Sequence, residues 1–544
     1  MSHTPATGSS APGTAPATSA ERTPDDPAEF VEVDTLAGRV RGRWRPTVRR
    51  ASDASGGEGA ERSAAFLGIP FAEPPVGELR FAAPVPKAPW PGTLDALEFA
   101  PTAQRGDPGV TLIPEPSVPG DATLNVNVFT PSPSAPAAGE AGLPVLVWIH
   151  GGGYFAGSPA SPWYDGRSFN RDGVVTVTIS YRLGFDGFGW IADAPSNRGV
   201  RDWMLALDWV QQNISAFGGD PGRVTIAGQS AGGGAVLTLL GMPTAQHLFH
   251  GVYALSGALA DVAPARSEAF GRALAAEAGV EPTRAGFGSL PEERVLELQQ
   301  RATELGPDSL GSIIDDGLPL GPTVDGELIE RPTLESLAAG VGRGIPLVLG
   351  ATDDEFTMAF AEAEKKLRWV PKALLLKKLG MPKERLKPYL RANADVAAKG
   401  TARIAGRFLS DRMFRTALLR VVEAREAGAS AGASAGAGAG TATDASAGTW
   451  LYRFSWPSGT FGFAEHCLDV PFFFDCLDGP AMVPLAGPNP PQALADELHA
   501  AAVAFVGAGD PGWPTAHGPA PTAKVWDVPS HVQPDAYASV GPLR

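Results

Sequence analysis

Three serines in this chain stand in the pattern Gly-x-Ser-x-Gly: Ser230, Ser430 and Ser434. A serine flanked in this way can ride on a tight strand-to-helix turn and act as a nucleophile in acyl transfer. Small neighbours matter there, because the serine backbone is strained and the helix passes close to the strand. Ser430 and Ser434 fall in two copies of GASAG inside an Ala/Gly/Ser/Thr tract, where nothing would rigidify the turn. Ser230 is different. It follows the apolar run VTIA, and Val236, Leu239 and Leu240 beyond it give a helical apolar face. Strand, turn and helix in that order is the context a nucleophile elbow requires.

Acyl transfer also needs donors where negative charge develops on the reacting carbonyl. His150-Gly151-Gly152-Gly153 follows the run VLVWI. Three residues without Cβ let successive backbone N–H groups approach a ligand oxygen. A serine further needs a base, and the base an orienting carboxylate, in the chain order Ser, acid, His. Downstream of Ser230 the candidate bases in this order are His466, His499, His517 and His531. His499 lies in an Ala-rich helical stretch, and His517 and His531 lie in a Gly/Pro-rich tail. His466 sits in FGFAEHCLDVPFFFD, just after a strand expected over 449–456. For the acid, Asp353, Asp354 and Glu355 follow IPLVLG, at the carboxyl end of a strand, where sheets of this kind bind ligands. Patterning alone leaves open which acid turns inward and which histidine is the base.

These groups need a frame. Residues 145–149, 174–180, 224–227, 251–255 and 345–349 are short, largely apolar runs, as expected of strands buried on both faces. Between two of them, Leu205, Trp209, Val210 and Ile214 recur at helical spacing, which predicts an amphipathic helix over 198–214. Such alternation predicts an α/β fold with a mostly parallel sheet covered by helices.

Composition bounds the rest. The chain has 544 residues, 44% hydrophobic and 19% charged, with a formal net charge of −15. A chain this acidic, read as having no basic block, is expected to be a poor partner for nucleic acid or an anionic membrane. Two cysteines exclude a disulfide framework and a multi-cysteine metal site. Residues 1–29 lack the anatomy of a signal peptide and read as a disordered tail. No later run reaches the ~18 to 20 apolar residues of a membrane helix. A cytoplasmic protein without a membrane anchor is the expectation. Residues 50–62 read as a polar insertion, 427–448 as a flexible surface loop, and the tail beyond Gly507 as irregular. The stretch 359–379 is amphipathic and reads either as a helical lid or as a surface helix pair broken at Pro371.

The segments GIPFAEPPVGELRF, HGGGYFAGS and FGGDPGRVTIAGQSAGG resemble the type B carboxylesterase family, the cholinesterase-like branch of the α/β-hydrolases. The resemblance runs from about Phe30 into the C-terminal region. It implies one α/β-hydrolase domain over 30–544 with helical cap or lid insertions, and a serine esterase acting on a small-molecule ester. It assigns Ser230 as nucleophile. Gly350 to Phe356 correspond to the family's G-x-x-x-D-E-G, so Glu355 matches the triad acid. His466 to Phe472 match H-x-x-D/E-x-P-Y/F, which makes His466 the base. Gly152, Gly153 and Ala231 match the oxyanion-hole positions. No metal or organic cofactor is implied, and activity should fall at acid pH because the base must be neutral.

Some positions depart from the family. Thr102 and Thr123 stand where it has a cysteine pair, which leaves the loop between them without a disulfide. Gln229 replaces a glutamate before the nucleophile. Asp186 replaces an apolar residue, and Phe356 the glycine after the acid. Cys467 and Cys476 are expected to be thiols. A non-catalytic binding protein of this fold would be expected to lack the serine. A triad hydrolase of amides, carbamates or lactones would look the same in sequence, because pocket shape separates these substrates.

Overall fold

A strand with apolar residues on both faces is stable only inside a sheet whose two faces are covered. The computed structural model describes residues 29–48, 60–106, 112–303, 317–360, 363–435 and 446–544, with the backbone alone over 431–435. Its strands are β1 (Phe30–Asp34), β2 (Arg39–Pro46), β3 (Arg62–Pro70), β4 (Thr93–Asp95), β5 (Asn125–Thr130), β6 (Leu143–Ile149) and β7 (Val175–Ile179). They continue with β8 (Gly219–Gln229), β9 (Gly251–Leu255), β10 (Leu347–Thr352), β11 (Thr449–Phe454), β12 (Ala523–Trp526) and β13 (His531–Gln533). The order across the sheet is β1-β2-β3-β5-β7-β6-β8-β9-β10-β11-β12-β13, with β4 beside β2. From β7 to β12 every neighbouring pair is parallel; β1-β2-β3-β5-β7 and the β12–β13 edge are antiparallel. This is the α/β-hydrolase frame: a mostly parallel sheet flanked by helices.

The helices used below are α1 (Arg198–Asn213), α2 (Ala231–Leu240), α3 (Glu364–Leu367), α4 (Lys372–Lys378), α5 (Lys383–Ala392), α6 (Thr401–Ser410), α7 (Thr416–Ala435) and α8 (Gln492–Ala508). Helix α1 buries Trp203, Leu207 and Val210 in the core that also holds Val145, Val147 and Ile226 of the sheet. On the other face Trp148, Tyr253 and Tyr452 pack with Phe473 and Phe505.

Two expectations are corrected here. The tract 427–448 does not begin as a loop, since α7 runs on through Ala435 and both GASAG copies start within that helix. Alanine is the best helix former, and a helix already under way needs no new nucleus. Residues 436–445 of the tract, residues 1–28, and residue 49 with 50–59 of the polar insertion lie outside the described residues. The tail beyond Gly507 is not irregular throughout, because β12 and β13 extend the sheet at its far edge. The segment 359–379 forms a turn of helix at Thr357–Phe360 and then α3 and α4, with Pro371 immediately before α4.

Candidate active site

Ser230 sits between the end of β8 and the start of α2, with φ 58° and ψ −121°. A non-glycine residue at positive φ costs on the order of 1–3 kcal/mol and persists only where its surroundings enforce it. Here they do. The Ser230 N–H donates to Leu255 O at 2.9 Å, and its carbonyl accepts from Gly234 N at 2.8 Å. A Cβ on Gly232 would lie 2.0 Å from Ile149 O, and one on Gly228 would lie 2.5 Å from Gly232 itself. The glycines flanking the serine therefore let α2 cross against the ends of β6 and β8.

Ser230 Oγ lies 2.9 Å from His466 Nε2. On its other side, His466 Nδ1 is in a short hydrogen bond with Glu355 Oε2. Glu355 is fully buried, and its other oxygen accepts from the Thr352 N–H at 2.8 Å. The His466 N–H also donates to the Glu355 carbonyl at 3.1 Å. Of the candidate histidines, His499 is buried with Nδ1 2.7 Å from Phe473 O and Nε2 3.1 Å from Asp172, while His517 and His531 lie at the exposed surface.

The three adjacent acids separate cleanly. Asp353 meets Arg453 at 2.5 and 2.8 Å, with Arg407 and Arg415 within 3.9 Å. Asp354 accepts from Arg403 at 3.2 Å and Arg407 at 3.3 Å. Burial alone would raise the Asp353 carboxyl, but Arg453, Arg407 and Arg415 hold it well below the usual carboxylate range. Only Glu355 points at the imidazole. A cavity of about 220 Å³ lined by Asn393, Arg407, Arg453 and Ser539 lies on this arginine side, away from Ser230.

The Gly151–Gly153 turn closes over the serine. A Cβ on Gly151 would come within 3.2 Å of the Ser230 Cβ, and one on Gly152 within 2.2 Å of Ala156 O. Gly152 and Gly153 have φ of 97° and 61°. Their N–H groups donate to no described residue. Ala231, first residue of α2, has no carbonyl four residues back within its helix, so its N–H is also open to a ligand. His150 belongs to the scaffold. Its ring stacks on Tyr181 at 4.5 Å, and burial pushes it down to about 4, so it stays neutral.

The departures from the family find physical roles. Gln229 is buried, and its amide nitrogen lies 3.2 Å from His466 Nε2, the same atom that faces Ser230. Phe356 stacks on the His466 ring at 5.1 Å and 27°, and Phe414 covers it at 5.3 Å. Phe414 lies in the π-helical turn Asp411–Arg415 that joins α6 to α7, and no periodicity in the sequence marks it. Asp186 pairs with Arg80 at 2.8 Å, so its charge is met rather than left bare. Thr102 accepts from the Val118 N–H at 2.9 Å. Gln104 donates to Glu115 O at 2.7 Å and accepts from Gly157 N at 2.6 Å. Hydrogen bonds thus tie down the loop that lacks a disulfide, and attach it to the glycine turn. Cys467 and Cys476 are free thiols.

Glu465, beside His466 in the chain, is fully buried with both carboxylate oxygens unpartnered. Burial pushes it up to about 9. An unfolded glutamate titrates near 4.3. Between those values the folded chain holds a proton that the unfolded chain releases, so this group's stabilisation is full below the lower value and is lost as pH rises toward the upper. Glu465→Gln is therefore expected to raise Tm over wild type progressively from pH 5 to pH 9. A difference in Tm that stays constant across that range would refute the buried neutral acid.

Comparison with known proteins places the chain. The model of the carboxylesterase family matches residues 29–537. The chain is 30% identical over 503 residues to the para-nitrobenzyl esterase of Bacillus subtilis (strain 168), covering 89% of this chain and 92% of that protein. It is 35% identical over 368 residues to the liver carboxylesterase of Sus scrofa, covering 63% and 62%. The crystal structure of the Geobacillus stearothermophilus carboxylesterase at pH 6.2 superposes with a TM-score of 0.76 at 29% identity, covering 94% of this chain and 100% of that one.

Proposed function

This chain belongs to the carboxylesterase family and is an ester-hydrolysing enzyme, and we propose that it works through Ser230, His466 and Glu355 by an acyl-enzyme route. The observation that carries this reading is the unbroken line of contacts from Glu355 through both nitrogens of His466 to Ser230 Oγ. With Glu355 accepting the Nδ1 proton, Nε2 presents a lone pair to the serine hydroxyl. Ser230 Oγ attacks the ester carbonyl as its proton passes to Nε2, and the N–H groups of Gly152, Gly153 and Ala231 meet the developing oxyanion. His466 then protonates the leaving alcohol. Water activated by the same imidazole attacks the acyl-enzyme and releases the acid. The names of the relatives, para-nitrobenzyl esterase among them, support small organic esters as substrates.

The direct test is covalent. An organophosphate ester should label one residue stoichiometrically with loss of activity, and peptide mapping should find the label on Ser230. A label elsewhere, with activity lost in parallel, would sink the assignment.

Gln229 makes the site distinguishable from one with the family's glutamate. Its amide presents an N–H to Nε2 and adds no charge. In Gln229→Glu a carboxylate would lie in the same place and favour the imidazolium. The acid limb of kcat/KM is expected to move about one pH unit higher in Gln229→Glu. A pH profile superimposable on wild type would mean that residue 229 does not face the base in solution.

A further inference from the structure

The expectation of a chain without a basic block is corrected here, because net charge averages over an uneven distribution. Eight of the ten lysines in the chain lie between Lys365 and Lys399. From Glu364, where α3 begins, to Arg391 there are ten basic residues against two acids, Glu364 and Glu384, in a chain whose formal net charge is −15. These residues occupy α3, α4 and α5, and Lys365, Lys366, Lys377 and Lys378 are exposed.

Apolar side chains stand among them. Trp369, between α3 and α4, is 78% exposed, the highest value for a large hydrophobic residue among the described residues, and Leu374 of α4 is 61% exposed. The Arg368 guanidinium lies 4.8 Å above the Trp369 ring. The opposite side of α4 is ordinary core, where Leu376 is fully buried and the helix packs on α6. Helix α6 carries Arg403 and Arg407, which hold Asp354 next to Glu355. The basic segment is therefore anchored to the wall behind the candidate active site, with its charged and aromatic side turned to solvent.

We propose that this surface docks the enzyme onto an anionic lipid surface. Indole rings settle at the headgroup level, and lysine stems lie along the apolar boundary while their ammonium groups meet lipid phosphates. Charge complementarity selects the occupant. The rest of the chain carries a strong net negative charge and is repelled by such a surface, so this patch is the side that approaches it and sets the orientation. A small anion would need a concave cradle of buried donors, whereas these side chains are exposed.

The test uses the whole enzyme and sedimentation with vesicles of phosphatidylcholine, with or without phosphatidylglycerol. Binding is expected only with phosphatidylglycerol present, and should be lost near 1 M salt, where the screening length is ~3 Å. Lys365→Glu, Lys366→Glu, Lys377→Glu and Lys378→Glu combined should weaken it by roughly several hundredfold, at about fivefold per lysine. Trp369→Ser should weaken it by about tenfold while the salt dependence remains. Hydrolysis of a soluble ester should be unchanged in both variants, which shows that they fold. No binding to phosphatidylglycerol vesicles, or equal binding by the fourfold variant, would overturn the proposal. So would a wild-type oligomer that the same substitutions dissolve in light scattering, since the patch would then be an interface between copies.

Discussion

Ser230→Ala is expected to lower kcat/KM for a short-chain p-nitrophenyl ester by about 10⁵ to 10⁶, the scale on which removing a triad nucleophile acts. Alanine keeps the Cβ and the strained backbone at φ 58°, and loses one contact, from Oγ to His466 Nε2 at 2.9 Å. The fold should therefore be spared, and Tm should stay within a few degrees of wild type. Some hydrolysis above the uncatalysed rate should survive, because the donors of Gly152, Gly153 and Ala231 are backbone groups that the substitution leaves in place. Turnover within tenfold of wild type would show that another residue is the nucleophile.

Glu355→Gln should have the second largest effect, a loss of about 10³ to 10⁴ in kcat. The two oxygens of Glu355 have different partners. One accepts from the Thr352 N–H at 2.8 Å, and the other faces His466 Nδ1. An amide in the same place must give its oxygen to Thr352, because turning its NH₂ there would set donor against donor in a fully buried site. The NH₂ then points at Nδ1, which can only accept. The imidazole proton is driven to Nε2, and the atom that should receive the seryl proton already holds one. Steady-state kinetics of Glu355→Gln beside Asp354→Asn check this. Asp354 faces Arg403 and Arg407 rather than the imidazole, so its variant should lose stability more than turnover. Equal losses of kcat in the two variants would refute the division of roles.

Much of this frame was legible in the residues. Val145–Ile149 and Gly251–Leu255 read as strands because a central parallel strand is apolar on both faces, and that leaves an unbroken mark. The elbow at Gly228–Gly232 and the turn at Gly151–Gly153 were legible because their geometry excludes side chains, so only glycine fits. The strands β12 and β13 were not. Four and three residues long, at the edge of the sheet, they are too short to show a period. The Ala/Gly/Ser tract misled in the other direction, because its composition suits a linker while its alanines also continue α7. The whole-chain charge hid the lysine-rich segment in the same way, by averaging.

Sequence by itself determined the fold class, the elbow that carries the proposed nucleophile Ser230, and the chain order of the three groups proposed to react. Each of those depends on local backbone demands or on motif matches within a few residues. Tertiary structure alone decided what surrounds them. Asp353, Asp354 and Glu355 differ in role because Arg403, Arg407, Arg415 and Arg453, dozens of residues downstream, neutralise the first two and leave the third to His466. Phe356, Phe414 and Gln229 enclose the imidazole for the same reason. Contacts between residues distant in the chain carry no local period. They are set when the sheet brings the carboxyl ends of β8, β9, β10 and β11, neighbours in that order, to one edge.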